Sequence, residues 1–576
     1  MENAYVLYSF LIFLVTTAFS LYLLYNPGYR TKIKPIYLIT AGVILSTLFI
    51  MLEADCKSGT YGDGGNFFIA LFHTIQVMLA GYEIDRLFYS LDVSKITHIY
   101  FGILFVSAPI CTFGFVLSFF ESATSYFRCL FAYKKDMYIL SDISEKSLVL
   151  AKSIRTKFPR CAIVFAETET RLKEHAKDCN GIIIKTDIEK IKPGMHSKNA
   201  KLVFFAIEEN ESKNQEVAIS IINNFKNRKN TELYVFASST ESELLFDSMD
   251  KGCMKVRRIN EDRAFAYSII HNTDYMITKD ITEKEGKKII SALIVGFDGY
   301  GTEMAKALLW CGQLPDYELE INVIDKNPHA EANFEAQCPE IMKLNHNTTF
   351  GEARYSISFY SGVEINSIEF NNVVSSLSNT SVVYVSLGND EFNIETAINL
   401  RTLLERCGLF PKIRAVVRNE LKYNTLQKYG LSNYKNENYQ IEVIGCLKDR
   451  YSYDTIIDED LETLALKYHL QWANTKDKIA KSTKQFNETE YFRRSSAATA
   501  IHEIYRKNEG ISSDMDSIVE HMRWNAYMRT EGYIYSGSPD EATRNDRAKK
   551  HHLLVPAELL NDEEKAKDTR IIEMKL

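Results

Sequence analysis

Apolar positions in the first fifth of the chain run together rather than alternating. Residues 4–25 and 36–52 are continuous apolar stretches, each close to the ~20 residues an α-helix needs to cross about 30 Å of hydrocarbon. Residues 67–82 and 99–120 are two further candidates. The first stretch lacks the basic leader and small-residue cleavage site of a signal peptide, and more apolar segments follow it, so it reads as a span. Beyond residue 133 the pattern changes to short β-rich runs alternating with helical periodicity, the mark of parallel sheets covered by helices.

Five runs, at 137–141, 162–166, 182–185, 202–207 and 233–237, predict a Rossmann-like unit over residues 134–280. Glu167 and Asp187 follow its second and third strands, where acids commonly meet ribose hydroxyls. Its first turn, Ser141-Asp-Ile-Ser-Glu-Lys-Ser147, has no glycine to let backbone approach a pyrophosphate, so no dinucleotide is expected there in the usual way. A second unit over 288–455 opens with Ala292-Leu-Ile-Val-Gly296-Phe-Asp298-Gly299-Tyr-Gly301 and a helical run. Gly296 and Gly301 hold the outer positions of a dinucleotide fingerprint, Asp298 replaces the middle glycine, and Gly299 comes one place later. The next strand ends in Asp325, where a ribose-binding acid is expected, and runs at 382–386, 413–417 and 442–444 complete the sheet.

Charge divides the chain in the same way. The first 120 residues carry 13 charged side chains and the other 456 carry 130. With 68 basic and 75 acidic residues the net charge is -7, which gives no basic surface for nucleic acid. Ten cysteines without a CxxC read as free thiols in a reducing compartment. No Walker lysine motif, HExxH, zinc-spaced set or GxSxG is present, and the adjacent His551 and His552 lack helical ligand spacing, so neither an enzyme nor a metal site is expected.

Basic residues also orient the spans. Arg30, Lys32 and Lys34 separate the first two, Glu53, Asp55 and Asp63 dominate the next loop, and Arg128, Lys134 and Lys135 follow the last. Four crossings would place the two basic segments on opposite sides. Demoting the third stretch removes the conflict: the N-terminus lies outside, 26–35 inside, and 53–97 returns to the outer face. The demoted text, Ala70-Leu-Phe-His-Thr-Ile-Gln-Val-Met-Leu79-Ala80-Gly81-Tyr82-Glu83, resembles the pore helix and filter of potassium channels. In such filters backbone carbonyls replace an ion's hydration shell. Only Gly81-Tyr82 survives of the usual Thr-Val-Gly-Tyr-Gly, Leu79, Ala80 and Glu83 depart from it, and potassium selectivity does not carry over; the alternative is a fourth ordinary span with a chance Gly-Tyr at its end.

This region, with a pore loop at 66–85 inside a membrane segment 1–133, precedes the two Rossmann-like units. The order resembles ligand-gated potassium channels with tandem regulator-of-conductance (RCK, or TrkA-N) domains. That resemblance implies a cytosolic gating ring, a homo-oligomeric (tetrameric) assembly and a nucleotide ligand, with gating strain on the last span near Ala108-Pro109 and Gly114.

Residues 456–490 read as a helical connector. In 491–576, Glu520-His521-Met-Arg523-Trp524, Gly532-Tyr533, His552-Leu-Leu-Val-Pro556 and Lys567-Asp568 resemble, in order, the ryanodine-receptor repeat domain. Glu520, Arg523 and Trp524 lie within one helical turn, a set suited to a purine nucleotide: the indole stacks, the guanidinium pairs with phosphate, and the acid accepts from ribose or base. In prokaryotic proteins the resemblance implies fusion to defence or signalling partners. The expected whole is a multidomain protein of α-helical transmembrane region, two α/β Rossmann-like domains and a small mainly α terminal domain. It would act as a ligand-gated channel or membrane-permeabilising effector of a prokaryotic inner membrane, sensing a dinucleotide or nucleotide-derived messenger. The alternative is a membrane-anchored nucleotide sensor that conducts nothing.

Overall fold

The computed structural model describes residues 4–25, 35–58, 63–83, 94–119, 121–166, 172–191, 196–279, 281–284, 286–349, 351–429, 433–434, 437–438, 440–473, 479–510, 516–537 and 544–574. The chain divides into two compact units, Met1–Phe131 and Ala132–Leu576.

In the first unit, helices Ala4–Tyr25, Pro35–Ser58 and Lys95–Phe119 contain spans long and apolar enough to cross a membrane. Leu7, Val106 and Phe113 project from them exposed, as lipid-facing side chains can. Where two helices meet, the pairing is tight and polar. Ser9 Oγ donates to the Ser46 carbonyl at 2.8 Å, Ser46 Oγ donates to the Ser9 carbonyl at 3.0 Å, and Tyr100 joins at 2.7 Å from Ser9 Oγ. A Cβ on Gly42 would stand 2.0 Å from Thr16 Oγ1, so only glycine permits this approach. Gly42→Leu is therefore expected to separate the first two helices, seen as a lowered detergent melting temperature; an unchanged melting temperature would refute the close packing.

The helix Asp63–Met78 has 16 residues, about 24 Å at 1.5 Å per residue and short of the ~30 Å core. It ends in a Schellman motif. Gly81 N donates to the Gln76 carbonyl at 2.7 Å and Ala80 N to that of Val77 at 3.0 Å, with Ala80 in the left-handed region at φ +58°. Leu79, Ala80 and Gly81 thus close the helix instead of continuing as an extended filter strand. The Tyr82 ring lies 5.1 Å from that of His73, and Glu83 is exposed. Arg30, Lys32 and Lys34, on which the orientation rests, fall outside the described residues.

The second unit contains two sheets with six parallel strands in the same order, the second extended by one antiparallel strand. The first comprises β1 (Met137–Leu140), β2 (Ala162–Ala166), β3 (Ile182–Ile184), β4 (Leu202–Ala206), β5 (Thr231–Phe236) and β6 (Lys255–Ile259), arranged 3-2-1-4-5-6. A hairpin from β7 (Thr282–Lys284) leads into the second: β8 (Lys287–Val295), β9 (Tyr317–Asp325), β10 (Ser356–Ser361), β11 (Val382–Val385), β12 (Lys412–Val416) and β13 (Ile441–Ile444), with β8 and β11 at the centre. Fully buried apolar strands such as β1 and β4 explain why they appear as continuous hydrophobic runs. β6 and β10 are additions to the expected strands.

A helical C-terminal region follows, with Glu459–Ala473, Ile479–Glu488, Glu490–Asn508, Asp516–Thr530 and Asp562–Ile572. It shares a core with the second sheet unit: Tyr505 and Tyr527 belong to the same buried cluster as Leu308 and Trp310 of the helix Tyr300–Cys311. The Tyr505 hydroxyl donates to the Ile270 carbonyl at 3.0 Å and accepts from Ile277 N at 3.3 Å.

Buried ion pairs tie these parts together. Arg258 on β6 reaches Glu490 at 2.9 Å and Glu243 at 3.1 Å, Arg494 reaches Glu243 at 2.6 Å and Glu531 at 3.2 Å, and Arg263 reaches Glu303 at 2.7 Å and Glu531 at 3.5 Å. Burial alone would raise the Glu531 carboxyl, but Arg263 and Arg494 outweigh it and hold it at about 2. Glu490 is likewise held at about 2 against burial by Arg494 and Arg258.

Candidate functional site

Two clefts contain the residues singled out by the sequence. The first, about 320 Å³, opens beside the glycine turn after β8. Here the glycines are packing devices. Gly296 has φ +92°, and a Cβ on it would meet the Ser386 carbonyl oxygen at 2.1 Å; one on Gly301 would meet the Gly296 carbonyl oxygen at 2.1 Å. Gly299, at φ +43°, lies against Asp262, whose carboxylate would be 2.3 Å from such a Cβ. Asp325 is 6% exposed. Its Oδ2 accepts from Phe297 N at 2.6 Å and its Oδ1 from Asn327 N at 2.7 Å, so it closes the turn.

The cleft walls carry Asp262, Asp298, Glu303 and Asp325 against Lys306, the one cation among the described lining residues. Arg450 pairs with Asp262 at 2.6 Å and Arg263 with Glu303 at 2.7 Å, which leaves Asp298 and Asp325 facing the space. A pyrophosphate entering this cleft would meet Lys306 beside the Asp298 carboxylate. In the first unit the corresponding helix start is closed by its own side chains. Ser144 accepts from Ser147 N, and the Ser147 side chain accepts from Ser144 N, in a capping box. Asp187 is exposed and pairs with Lys190; Glu167 lies outside the described residues.

The second cleft, about 310 Å³, lies within the C-terminal region. Glu520, His521, Arg523, Trp524 and His552 all line it. Tyr533 does not. Its hydroxyl donates to Asp546 at 3.0 Å and its ring lies 6.2 Å from Tyr491, a packing role. The helix Asp516–Thr530 brings the first four together, because positions three and four apart share a face. Its neighbours complete the wall. Tyr468, His469 and Trp472 come from the expected connector, Tyr491, Phe492 and Thr499 from the next helix, and Arg544 and His551 from the terminal loops. The high aromatic content of 468–472 and 491–492 was the one signal of these in the sequence.

Arg523 is 1% exposed and bound twice to Glu520, at 3.1 Å from Nε and 2.7 Å from Nη2. It is therefore already paired, in contrast to the expected phosphate partner. Burial pushes the Glu520 carboxyl up to about 7 despite Arg523. His521 Nε2 donates to the Val555 carbonyl at 2.9 Å, and its Nδ1 lies 3.4 Å from Asp568. The Trp524 ring stacks on His521 at 5.6 Å and meets the edge of His551 at 5.0 Å. Burial, then the Arg544 and His552 charges, push His551 down to about 3, so its ring is neutral at pH 7.

Arg523 Nη1, Tyr468 Oη, His469 Nε2 and His552 Nδ1, which belong to lining residues, are closed off from solvent and have no hydrogen-bond partner among the described residues. Behind them, His502, Glu503 and Glu520 offer ligand atoms within 4.8 Å of one another. Arg506 pairs with Glu503 at 2.5 Å and Arg523 with Glu520, and these guanidiniums already supply the positive charge a metal ion would bring.

No protein-family model and no curated protein sequence matches the chain. Among solved structures it is similar to the GsuK Channel, at 11% identity and TM-score 0.37 over 74% of this chain and 84% of that one. It is also similar to the GsuK channel bound to NAD (10%, TM-score 0.36, 75% and 85%) and to the GsuK RCK domain (9%, TM-score 0.33, 58% and 78%). Superpositions this loose transfer neither ligand nor activity to the chain.

Proposed function

We propose that the chain is a ligand-gated membrane channel or membrane-permeabilising effector whose Ala132–Leu576 unit senses a nucleotide-derived messenger. The observation that carries this reading is the aromatic cleft of the C-terminal region, in a chain that also has three membrane-length helices. The two α/β domains, read as TrkA-N-like, and the terminal ryanodine-receptor-repeat-like region would form the sensor. The apolar helices with the 66–85 segment would form the path, in a homotetramer. Messenger that binds one arrangement of the sensor more tightly shifts the population toward it, and that differential affinity is the whole driving force for opening. The setting is a prokaryotic inner membrane, with antiviral signalling as the role.

The test is conductance in reconstituted bilayers while a panel of cyclic and ADP-ribose-derived nucleotides is added to each side. Current that appears with one messenger and is lost in Trp524→Leu supports the reading. Messenger binding without any current, at matched protein incorporation, would leave the non-conducting sensor instead.

A further inference from the structure

Each cation on the cleft wall has an acidic partner. Arg523 is held by Glu520, Lys567 by Glu564 at 2.5 Å, and Arg544 by Asp546 at 2.7 Å. Asp568 adds a further carboxylate beside His521, and His551 is neutral. A phosphate entering this space would have to break an existing pair or stay unpaired in a buried site, and either is costly. An uncharged heterocycle makes no such demand, because it brings no charge that has to be paired. Flat surfaces for its faces are at hand: Trp524, and Trp472 whose ring lies 6.0 Å from Phe492. The volume of about 310 Å³ is at the lower end of the ~300–1,000 Å³ of small-molecule sites, enough for one base with its sugar.

Resting on the nucleotide reading of the same cleft, we infer that it recognises a single uncharged nucleobase, as its nucleoside, and leaves any phosphates of the messenger outside. Affinity then comes from the faces of the base against Trp472 and Trp524, and little of it from anionic charge.

The chain has three tryptophans, two of them on this wall, so stacking of a base is read directly as fluorescence quenching of the full-length protein in detergent. The probes are adenosine, guanosine, cytidine and uridine, the 5′-mono- and triphosphate of each, and cyclic di-AMP. At least one nucleoside is expected to quench saturably. Its mono- and triphosphates should bind within about threefold of it, with less than about threefold change on raising salt through the range where Debye screening becomes strong. Trp472→Leu should weaken it by about tenfold, the lower end of base–aromatic stacking, at unchanged melting temperature. Should that variant melt early, Trp472→Phe is expected to retain binding within about threefold. Binding only by phosphorylated probes, or tenfold tightening with added phosphates and loss in salt, would overturn the inference and keep the messenger reading. Quenching by none of them, in protein with an unaltered melting curve, would overturn both.

Discussion

Glu531→Ala is expected to destabilise the Ala132–Leu576 unit by about 3–5 kcal/mol, the cost of leaving buried charges without their partner. Arg263 and Arg494 both converge on this carboxylate, at 3.5 and 3.2 Å, with side chains no more than 15% exposed. Arg263 keeps Glu303 and Arg494 keeps Glu243, so the cost arises from two buried guanidiniums that each lose one of their carboxylates. A double variant, Glu531→Leu with Arg494→Met, should therefore be less damaged than the sum of its single changes, as read from urea midpoints. Additive losses would show that the two side chains are not coupled. The same network sets an acid limit. Glu462, Glu490 and Glu531 are held at about 2, below an ordinary glutamate value of 4.5. A depressed folded-state value means that their contribution is complete above pH 4.5 and is lost as pH falls towards 2. Glu520, raised to about 7, has the opposite sign: its contribution is complete below 4.5 and is lost as pH rises through 7. Urea midpoints should thus fall steeply between about pH 4.5 and 2, and Glu531→Gln should flatten that slope. An equal slope in wild type and variant would remove Glu531 from the account.

The parts of this architecture that announce themselves in sequence are those whose burial is one-sided in chemistry. Strands such as Leu202–Ala206 are apolar at every position because both faces are covered. Strand Lys255–Ile259 went unseen for the opposite reason. Arg257 and Arg258 are buried in ion pairs with Glu462 and Glu490, more than 200 residues away, and no local pattern distinguishes such arginines from solvated ones. Ser356–Ser361 is an edge strand with three serines, and its half-buried faces carry a weak alternating signal. For the sites, the helical spacing of Glu520, Arg523 and Trp524 correctly placed them on one wall, since three- and four-residue spacings fix a helical face. Their roles were not legible. Whether Arg523 meets a phosphate or Glu520 depends on burial, and burial here comes from the Glu459–Ala473 and Glu490–Asn508 helices folding over it. The glycine turn illustrates the same limit, because a fingerprint kept for close packing and one kept for a ligand have the same letters.

Gly296→Ala separates those two meanings of the turn. The new methyl group would stand 2.1 Å from the Ser386 carbonyl oxygen and 2.7 Å from its carbon, where β8 passes β11, and φ is +92°. Backbone cannot rotate away as a flexible side chain can, so overpacking adds to the left-handed strain, for a total on the order of 4 kcal/mol or more. Gly388 provides the control. It has φ +79° with no atom within 4 Å of a built Cβ, so Gly388→Ala carries the strain alone, about 1–2 kcal/mol. Expression yield and melting temperature of the full-length protein should fall severely in the first variant and slightly in the second. Nucleoside quenching, measured on whatever folded Gly296→Ala protein is recovered, should match wild type, because the quenching cleft is a different one. Equal stability losses would refute the close approach of β8 and β11, and quenching lost in well-folded Gly296→Ala would return the ligand to the glycine turn.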